Sequence, residues 1–74
     1  MKVFIFESTR TVIKAEQAVR DADIFCTVIP VPRSISPQCG MALEVDDGQE
    51  QTVIDLLTKM AIIINSFDRD SVKL

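Results

Sequence analysis

The sequence predicts an α+β fold in a single domain over residues 1–74. Two segments with apolar residues at helical spacing alternate with four short runs of β-forming residues, in the order β-α-β-β-α-β. Because crossover connections are right-handed, this order predicts a four-stranded antiparallel sheet with both helices on one face. That arrangement is the ferredoxin-like one. A chain of 74 residues is long enough for one thin core between these two layers.

The first elements are a predicted central strand and a predicted helix. Val3–Phe6 is a short apolar run bounded by polar residues, which is typical of such a strand. Ser8 or Thr9 follows as the expected N-cap of a helix. Residues Thr11–Asp21 then carry apolar side chains three and four positions apart, which predicts an amphipathic helix. The side chains expected on its buried side are Val12, Ala15, Ala18, Val19 and Ala22.

Two further strands are predicted on either side of a polar loop. Ile24–Val31 is rich in β-forming residues and predicts the second strand. Pro30 and Pro32 have no amide hydrogen to donate to a neighbouring strand, so the end of this strand is expected at an edge of the sheet. Arg33–Gly40 is the loop, and Met41–Val45 is the predicted third strand.

The last elements are a helix and a fourth strand. A turn at Asp46–Gly48 precedes a predicted helix over Gln49–Met60, and Ile62–Ile64 is the predicted fourth strand. The charged tail, Phe67–Leu74, has no pattern that places it. The helix is expected to bury Val53, Leu56, Leu57 and Met60.

The face of the sheet away from the helices is expected to be covered. Two predicted strands, Val3–Phe6 and Ile62–Ile64, are apolar at consecutive positions, whereas a strand with one wet face alternates. The hydrophobic fraction of 47% is high for so small a soluble domain. These observations favour a homodimer that stacks through the open sheet face. A partner protein docked there and a monomer with an exposed apolar face are the alternatives.

Composition excludes several classes of function. The chain has no histidine, which rules out Ser-His-Asp and Cys-His catalysis and most zinc sites. Its two cysteines cannot complete a zinc site alone, so no metal and no cofactor is expected. The net charge is −3 and the basic residues are scattered, which disfavours nucleic acid as a partner. No apolar run is long enough for a membrane span or a signal peptide, so a membrane partner is not expected and the cytoplasm is the expected location.

The loop before the third strand is the most unusual segment. All three prolines and one of the two glycines lie in residues 30–40. Prolines stiffen a loop, and a stiff loop that ends in Cys39-Gly40 suits a thiol that is presented to another molecule. Gly40 has no Cβ, so another molecule can approach the sulfur closely. We therefore expect Cys39 to be an exposed, reactive cysteine.

The predicted topology places this loop beside the first helix. The first two strands run parallel, so both end at the same edge of the sheet, where the N-terminus of that helix also lies. Helix N-termini and arginines stabilise thiolates. Arg33 and Arg10 are the nearby candidates for such a role, and Arg33 could equally be a solvated loop residue. Ser8 and Thr9 are expected to cap the helix and could also line the same site. The predicted site is therefore Cys39 as the reacting residue, with Arg33, Gly40, Ser8 and Thr9 around it.

The sequence resembles a small bacterial family of selenium/sulfur carrier proteins over nearly the whole chain. The resemblance lies in Pro-Val-Pro-Arg-Ser-Ile-Ser-Pro-Gln-Cys-Gly (residues 30–40), preceded by Phe-Glu-Ser-Thr (residues 6–9) and the first helix. It implies that a single cysteine, here Cys39, holds a persulfide or selenide for delivery from a donor protein to an acceptor protein. The Cys-Pro-x-Pro motif of other sulfur-relay proteins is absent.

Two alternatives remain open at the level of the sequence. One is a non-catalytic module that binds a partner or a small ligand and whose Cys39 is incidental. The other is a redox-sensing thiol, which would need a resolving cysteine from another chain, because Cys26 is expected in the core and out of disulfide reach. A Cys39 buried against core side chains would rule out the carrier.

Overall fold

The computed structural model describes residues 1–37, 39–62 and 64–68, and it confirms the predicted order of elements. Two helices and four strands follow each other in the order β-α-β-β-α-β, so the α+β, ferredoxin-like arrangement is confirmed. A short 3₁₀ turn, Asp47–Gln49, precedes the second helix. The elements are β1 (Lys2–Phe6), α1 (Thr9–Asp21), β2 (Cys26–Pro30), β3 (Met41–Val45), α2 (Glu50–Lys59) and β4 (Ile64–Asp68).

The four strands form one antiparallel sheet in the order β2-β3-β1-β4. Both β1 and β2 are antiparallel to β3, so they run in the same direction and end at the same edge of the sheet. The connection from β1 to α1 and the connection from β2 to β3 therefore meet at that edge. This is the placement that the predicted topology required.

The sheet buries apolar side chains on both faces. On the helix side, Phe4 and Leu43 from the two central strands pack with residues of both helices. On the opposite face, Val3, Ile5 and Ala42 form a second, smaller cluster. The consecutive apolar residues of β1 are explained by this arrangement, because neighbouring residues of a strand point to opposite faces.

The second face is covered, as expected, but the chain's own loop supplies the cover in place of the second copy that the sequence favoured. Val31 and Ile35, from the loop between β2 and β3, pack against Val3, Ile5 and Ala42. Val3 and Ala42 have no exposed surface. The apolar residues that favoured a homodimer are thus satisfied within one chain, and the physical reason for expecting that dimer is lost.

The predicted start of the first helix is confirmed by its cap. Ser8 has extended backbone angles, and its hydroxyl oxygen accepts a hydrogen bond from the Thr11 amide at 3.3 Å. The helix buries Val12, Ala15 and Val19, as its spacing predicted. Two other residues predicted on the buried side of this helix are less buried. Ala18 is partly buried, and Ala22, which follows the last turn, is exposed.

The fourth strand lies further along the chain than its apolar pattern predicted. Ile62–Ile64 was the predicted strand, but β4 begins at Ile64 and continues through the polar residues to Asp68. Ala61, with a φ of 58°, turns the chain after α2, and the Ile62 amide still donates to Leu57 in that helix. Ala61 and Ile62 are therefore used to end the helix, and Ile63, the middle residue of the predicted strand, lies outside the described residues. Polar residues are tolerated in β4 because it is an edge strand, where side chains stay exposed.

The second helix also differs in detail from the prediction. It begins at Glu50, after the 3₁₀ turn, and it buries Val53 and Leu57. Leu56 is partly buried, and Met60, the residue after the last turn, is exposed rather than in the core. Most of the tail, residues 69–74, lies outside the described residues. Within the described part of the chain, no helix is long and apolar enough to cross a membrane.

Candidate functional site

The proline-rich loop, residues 31–40, is closed at its base and structured within. The Val31 amide donates to the Gly40 carbonyl at 2.9 Å, one step beyond the last β2–β3 pair, Pro30 and Met41. Inside the loop, the Pro32 carbonyl accepts the Ile35 and Ser36 amides at 3.0 and 3.1 Å. The loop thus has internal hydrogen bonds of its own. We call the Val31–Gly40 hydrogen bond at its base the neck of the loop.

Arg33 closes the far part of this loop. Its Nη1 donates to the Pro37 carbonyl at 2.9 Å, while the side chain remains on the exposed surface. This hydrogen bond joins Arg33 to the backbone of Pro37 and so holds the outer turn of the loop. The predicted role of Arg33 in binding an anion or steering the Cys39 thiolate stays a prediction.

Cys39 is buried, so the expectation of an exposed thiol is wrong. Its side chain is only 1% exposed and belongs to the helix-side core, with Phe6 and Leu43. The physical reason is the path of the loop. Ile35 is packed on one face of the sheet, and the chain then returns around the sheet edge so that Cys39 enters the core on the other face.

Two polar contacts surround the buried sulfur. The Cys39 thiol donates to the Met41 carbonyl, with 3.3 Å between sulfur and oxygen. A carbonyl oxygen only accepts, so this contact requires the proton on sulfur. The Thr9 hydroxyl oxygen lies 3.8 Å from the same sulfur. Thr9 is the first residue of α1, so the predicted placement of Cys39 beside the start of that helix is found in the structure.

Two further predicted site residues, Ser8 and Gly40, are the chain neighbours of Thr9 and Cys39. Ser8 acts as the N-cap of α1, which is the first of the two roles considered for it. Its hydroxyl is also 2.9 Å from that of Thr11. Gly40 is half-buried, and an added Cβ would meet no atom within 4 Å. Space beside Gly40 is therefore open, and the expectation that Gly40 lets another molecule approach the Cys39 sulfur stays a prediction.

Cys26 is a core residue, as predicted. It is 4% exposed and packs on the helix side at the opposite end of β2 from the loop. Burial raises the pKa of the Cys26 thiol above its ordinary value of 9.0. Both cysteines are free thiols.

Sequence reasoning missed the role of Ser36. This residue is 1% exposed, and its hydroxyl has no hydrogen-bond partner within residues 1–37, 39–62 and 64–68. A cleft of about 220 Å³ lies beside it, between the loop and the ends of β1 and β4. A serine in a polar loop gives no sequence signal of burial, because burial depends on where Ile35 anchors the loop. The cleft is lined by Ile5, Phe6, Glu7, Ile35, Ser36, Pro37 and Asn65.

Comparison with known proteins gives one family. Residues 2–67 match the model of a family described as "Putative Se/S carrier protein-like". No curated protein and no solved structure matches the chain significantly. The matched range includes β1, both helices and the whole proline-rich loop, as well as most of β4.

Proposed function

This chain belongs to the Se/S carrier protein-like family, and we propose that it carries sulfur or selenium on Cys39, as a persulfide or selenide, for transfer to a partner protein. One observation of the structure supports the choice of residue. Cys39 ends the proline-rich loop and places its sulfur 3.8 Å from the Thr9 hydroxyl in the first turn of α1. The other cysteine, Cys26, is at the far end of β2 in the core.

The burial of Cys39 limits how this carrier works. A thiol that is 1% exposed cannot be reached by the sulfur of another protein. Burial against core side chains is also the observation that, at the level of the sequence, was expected to rule out the carrier, so a carrier whose loop stays closed is excluded. The proposal therefore requires that the proline-rich loop moves before transfer. In return, the closed loop would shield a bound persulfide from small thiols between donor and acceptor.

The proposed transfer needs no cofactor and no oxidant. In the open state, the Cys39 thiol gives its proton to water and its thiolate attacks the outer sulfur of a donor's persulfide. A new bond forms between Cys39 and that sulfur, the sulfur–sulfur bond of the donor breaks, and the donor leaves as a thiolate. An acceptor thiolate then takes the outer sulfur in the same way and releases the Cys39 thiolate. We place this chemistry in the cytoplasm, where thiols stay reduced.

The test is intact mass after incubation with a cysteine desulfurase and cysteine. The expected result is a mass increase of one sulfur atom, which a reductant removes. Cys39→Ser should abolish the increase, and Cys26→Ser should keep it, because Cys26 lies in the core away from the loop. A wild-type chain that gains no sulfur or selenium from any persulfide or perselenide donor would contradict the proposal.

A second candidate is a binding module without transfer chemistry. The observation that favours it is the same burial, since Cys39 belongs to the helix-side core and its thiol donates a hydrogen bond to the Met41 carbonyl. Such a cysteine acts as a small core residue. If this candidate is right, Cys39→Ala retains the binding of every partner that copurifies with the wild-type chain, and persulfide is never found on Cys39.

A further inference from the structure

Residues 32–37 and Cys39 form one segment, which is held at the sheet edge by the Val31–Gly40 hydrogen bond and by the packing of Ile35. The hydrogen bond from the Val31 amide to the Gly40 carbonyl closes its neck at 2.9 Å. Val31, at the neck, is nearly buried on the sheet, while Ile35 at the middle of the segment is half-buried. Movement about the neck would leave the β2–β3 pairing intact and would carry Cys39 with the segment.

The closed position of this segment is not fully satisfied. Ser36 is buried, and its hydroxyl has no hydrogen-bond partner in the described part of the chain. A hydroxyl removed from water without a partner destabilises the state that buries it, and it regains its hydrogen bonds when it returns to water. The unpaired hydroxyl of Ser36 therefore favours the open position.

The packing under the segment is also incomplete. The cleft of about 220 Å³ separates Ile35, Ser36 and Pro37 from the ends of β1 and β4. Atoms on its walls lack contact partners, so fewer van der Waals contacts are lost when the segment lifts. The cleft and the unpaired hydroxyl of Ser36, which lies beside it, both lower the cost of opening.

From these contacts we infer that residues 32–37 and Cys39 form a lid that opens about the Val31–Gly40 neck and exposes the Cys39 thiol, and that Ser36 sets how often it opens. Ile35 and the hydrogen bond from the Cys39 thiol to Met41 hold the lid closed. The Arg33–Pro37 hydrogen bond lies within the lid, so the lid keeps its shape when it moves. The use of this opening for transfer rests on the proposed function, whereas the opening itself does not.

The two cysteines of the chain provide an internal test of the opening. The wild-type protein is labelled with a maleimide under native conditions, and the rates at Cys39 and Cys26 are followed by mass spectrometry. We expect Cys39 to react at least about tenfold faster than Cys26, with a rate that does not change at low urea, because local opening exposes little surface. Equal rates with the same urea dependence would overturn the lid, since both thiols would then react only through global unfolding.

Substitutions in the lid test the role of Ser36. Ser36→Ala removes the unpaired hydroxyl and keeps the Cβ, so the closed state is favoured and labelling of Cys39 should slow about tenfold. Ser34→Ala is the matched control, because Ser34 is an exposed serine in the same lid, and its labelling rate should equal that of the wild type. A Ser36→Ala variant that labels at the wild-type rate would overturn the assignment of Ser36.

A third variant tests the closing contact. Ile35→Ala should accelerate the labelling of Cys39. The labelling of Cys26 should accelerate only as far as the lower global stability of the variant accounts for. An unchanged rate at Cys39 would contradict the anchoring role of Ile35. These results are separate from the proposed function: fast labelling without persulfide transfer would contradict the carrier and keep the lid, whereas transfer with labelling only through global unfolding would contradict the lid.

Discussion

The sulfur of Cys39 lies 3.8 Å from the hydroxyl oxygen of Thr9, although the two residues are thirty positions apart in the chain. The parallel directions of β1 and β2 bring them together, because both strands deliver the chain to the same edge of the sheet. The contact joins the end of the proline-rich loop to the first turn of α1. The geometry of the candidate site therefore depends on the start of that helix as well as on the loop.

Ser8→Ala should destabilise the protein by about 1 kcal/mol, because the Ser8 hydroxyl is the side-chain cap of α1. The measurement is the midpoint of urea unfolding at an unchanged m-value. Ser34→Ala is the control, since Ser34 is an exposed loop serine, and it should stay within about 0.5 kcal/mol of the wild type. Equal midpoints for the two variants would show that the cap contributes no stability.

Ile35→Ala should cost about 1–2 kcal/mol of unfolding free energy, because the half-buried Ile35 side chain covers Val3, Ile5 and Ala42. Ile13→Ala provides a matched control, since Ile13 is 61% exposed on α1 and alanine is a better helix former. Both are measured by urea unfolding. A cost at Ile35 no larger than that at Ile13 would mean that the loop does not cover the sheet in solution.

Cys39→Asp should destabilise the closed fold by about 3 kcal/mol or more, because it places an unpaired carboxylate in the helix-side core. Cys39→Ser should cost only about 1 kcal/mol, since a serine hydroxyl can still donate to the Met41 carbonyl. Urea unfolding of both variants measures the difference, with Ser34→Asp as the exposed control. If Cys39→Asp is as stable as Cys39→Ser, residue 39 is exposed in the dominant state.

Stability should fall in alkaline solution because of Cys26. Burial raises the pKa of this thiol in the folded state above the ordinary value of 9.0 that it has when unfolded. Its contribution is therefore complete below pH 9.0 and is lost as the pH rises from there through the folded-state pKa, since the unfolded chain then releases its proton first. Urea unfolding between about pH 8 and about pH 10 measures this loss.

The control for this pH dependence is Cys26→Ala. The variant loses core packing at every pH, but it has no thiol to ionise at this position. Its unfolding free energy should thus fall less steeply than that of the wild type over the same alkaline range. Parallel slopes for the two proteins would contradict the assignment to Cys26.

Elements with a strong local signal were predictable from the sequence. The five residues of β3, Met41–Val45, were placed at their observed limits, and the Ser8 cap and the buried side of α1 followed from spacing and side-chain chemistry. β4 was misplaced because its position is fixed by pairing with β1 and by the Lys2–Asp68 ion pair at 2.7 Å. Neither of these is visible in the hydropathy of the segment itself.

The candidate site was predictable in position but not in exposure. The sequence by itself determined that Cys39 ends a stiff loop beside the N-terminus of α1, because chain direction in a β-α-β-β-α-β order follows from local patterns and crossover handedness. Only the tertiary structure decided that Ile35 packs on the far face of the sheet, that Cys39 returns into the core, and that Ser36 is buried with them. Burial is a property of surfaces that meet from distant parts of the chain. The polar sequence of the loop therefore gave no sign that the loop covers the second face. The apolar residues of that face had for this reason favoured a dimer.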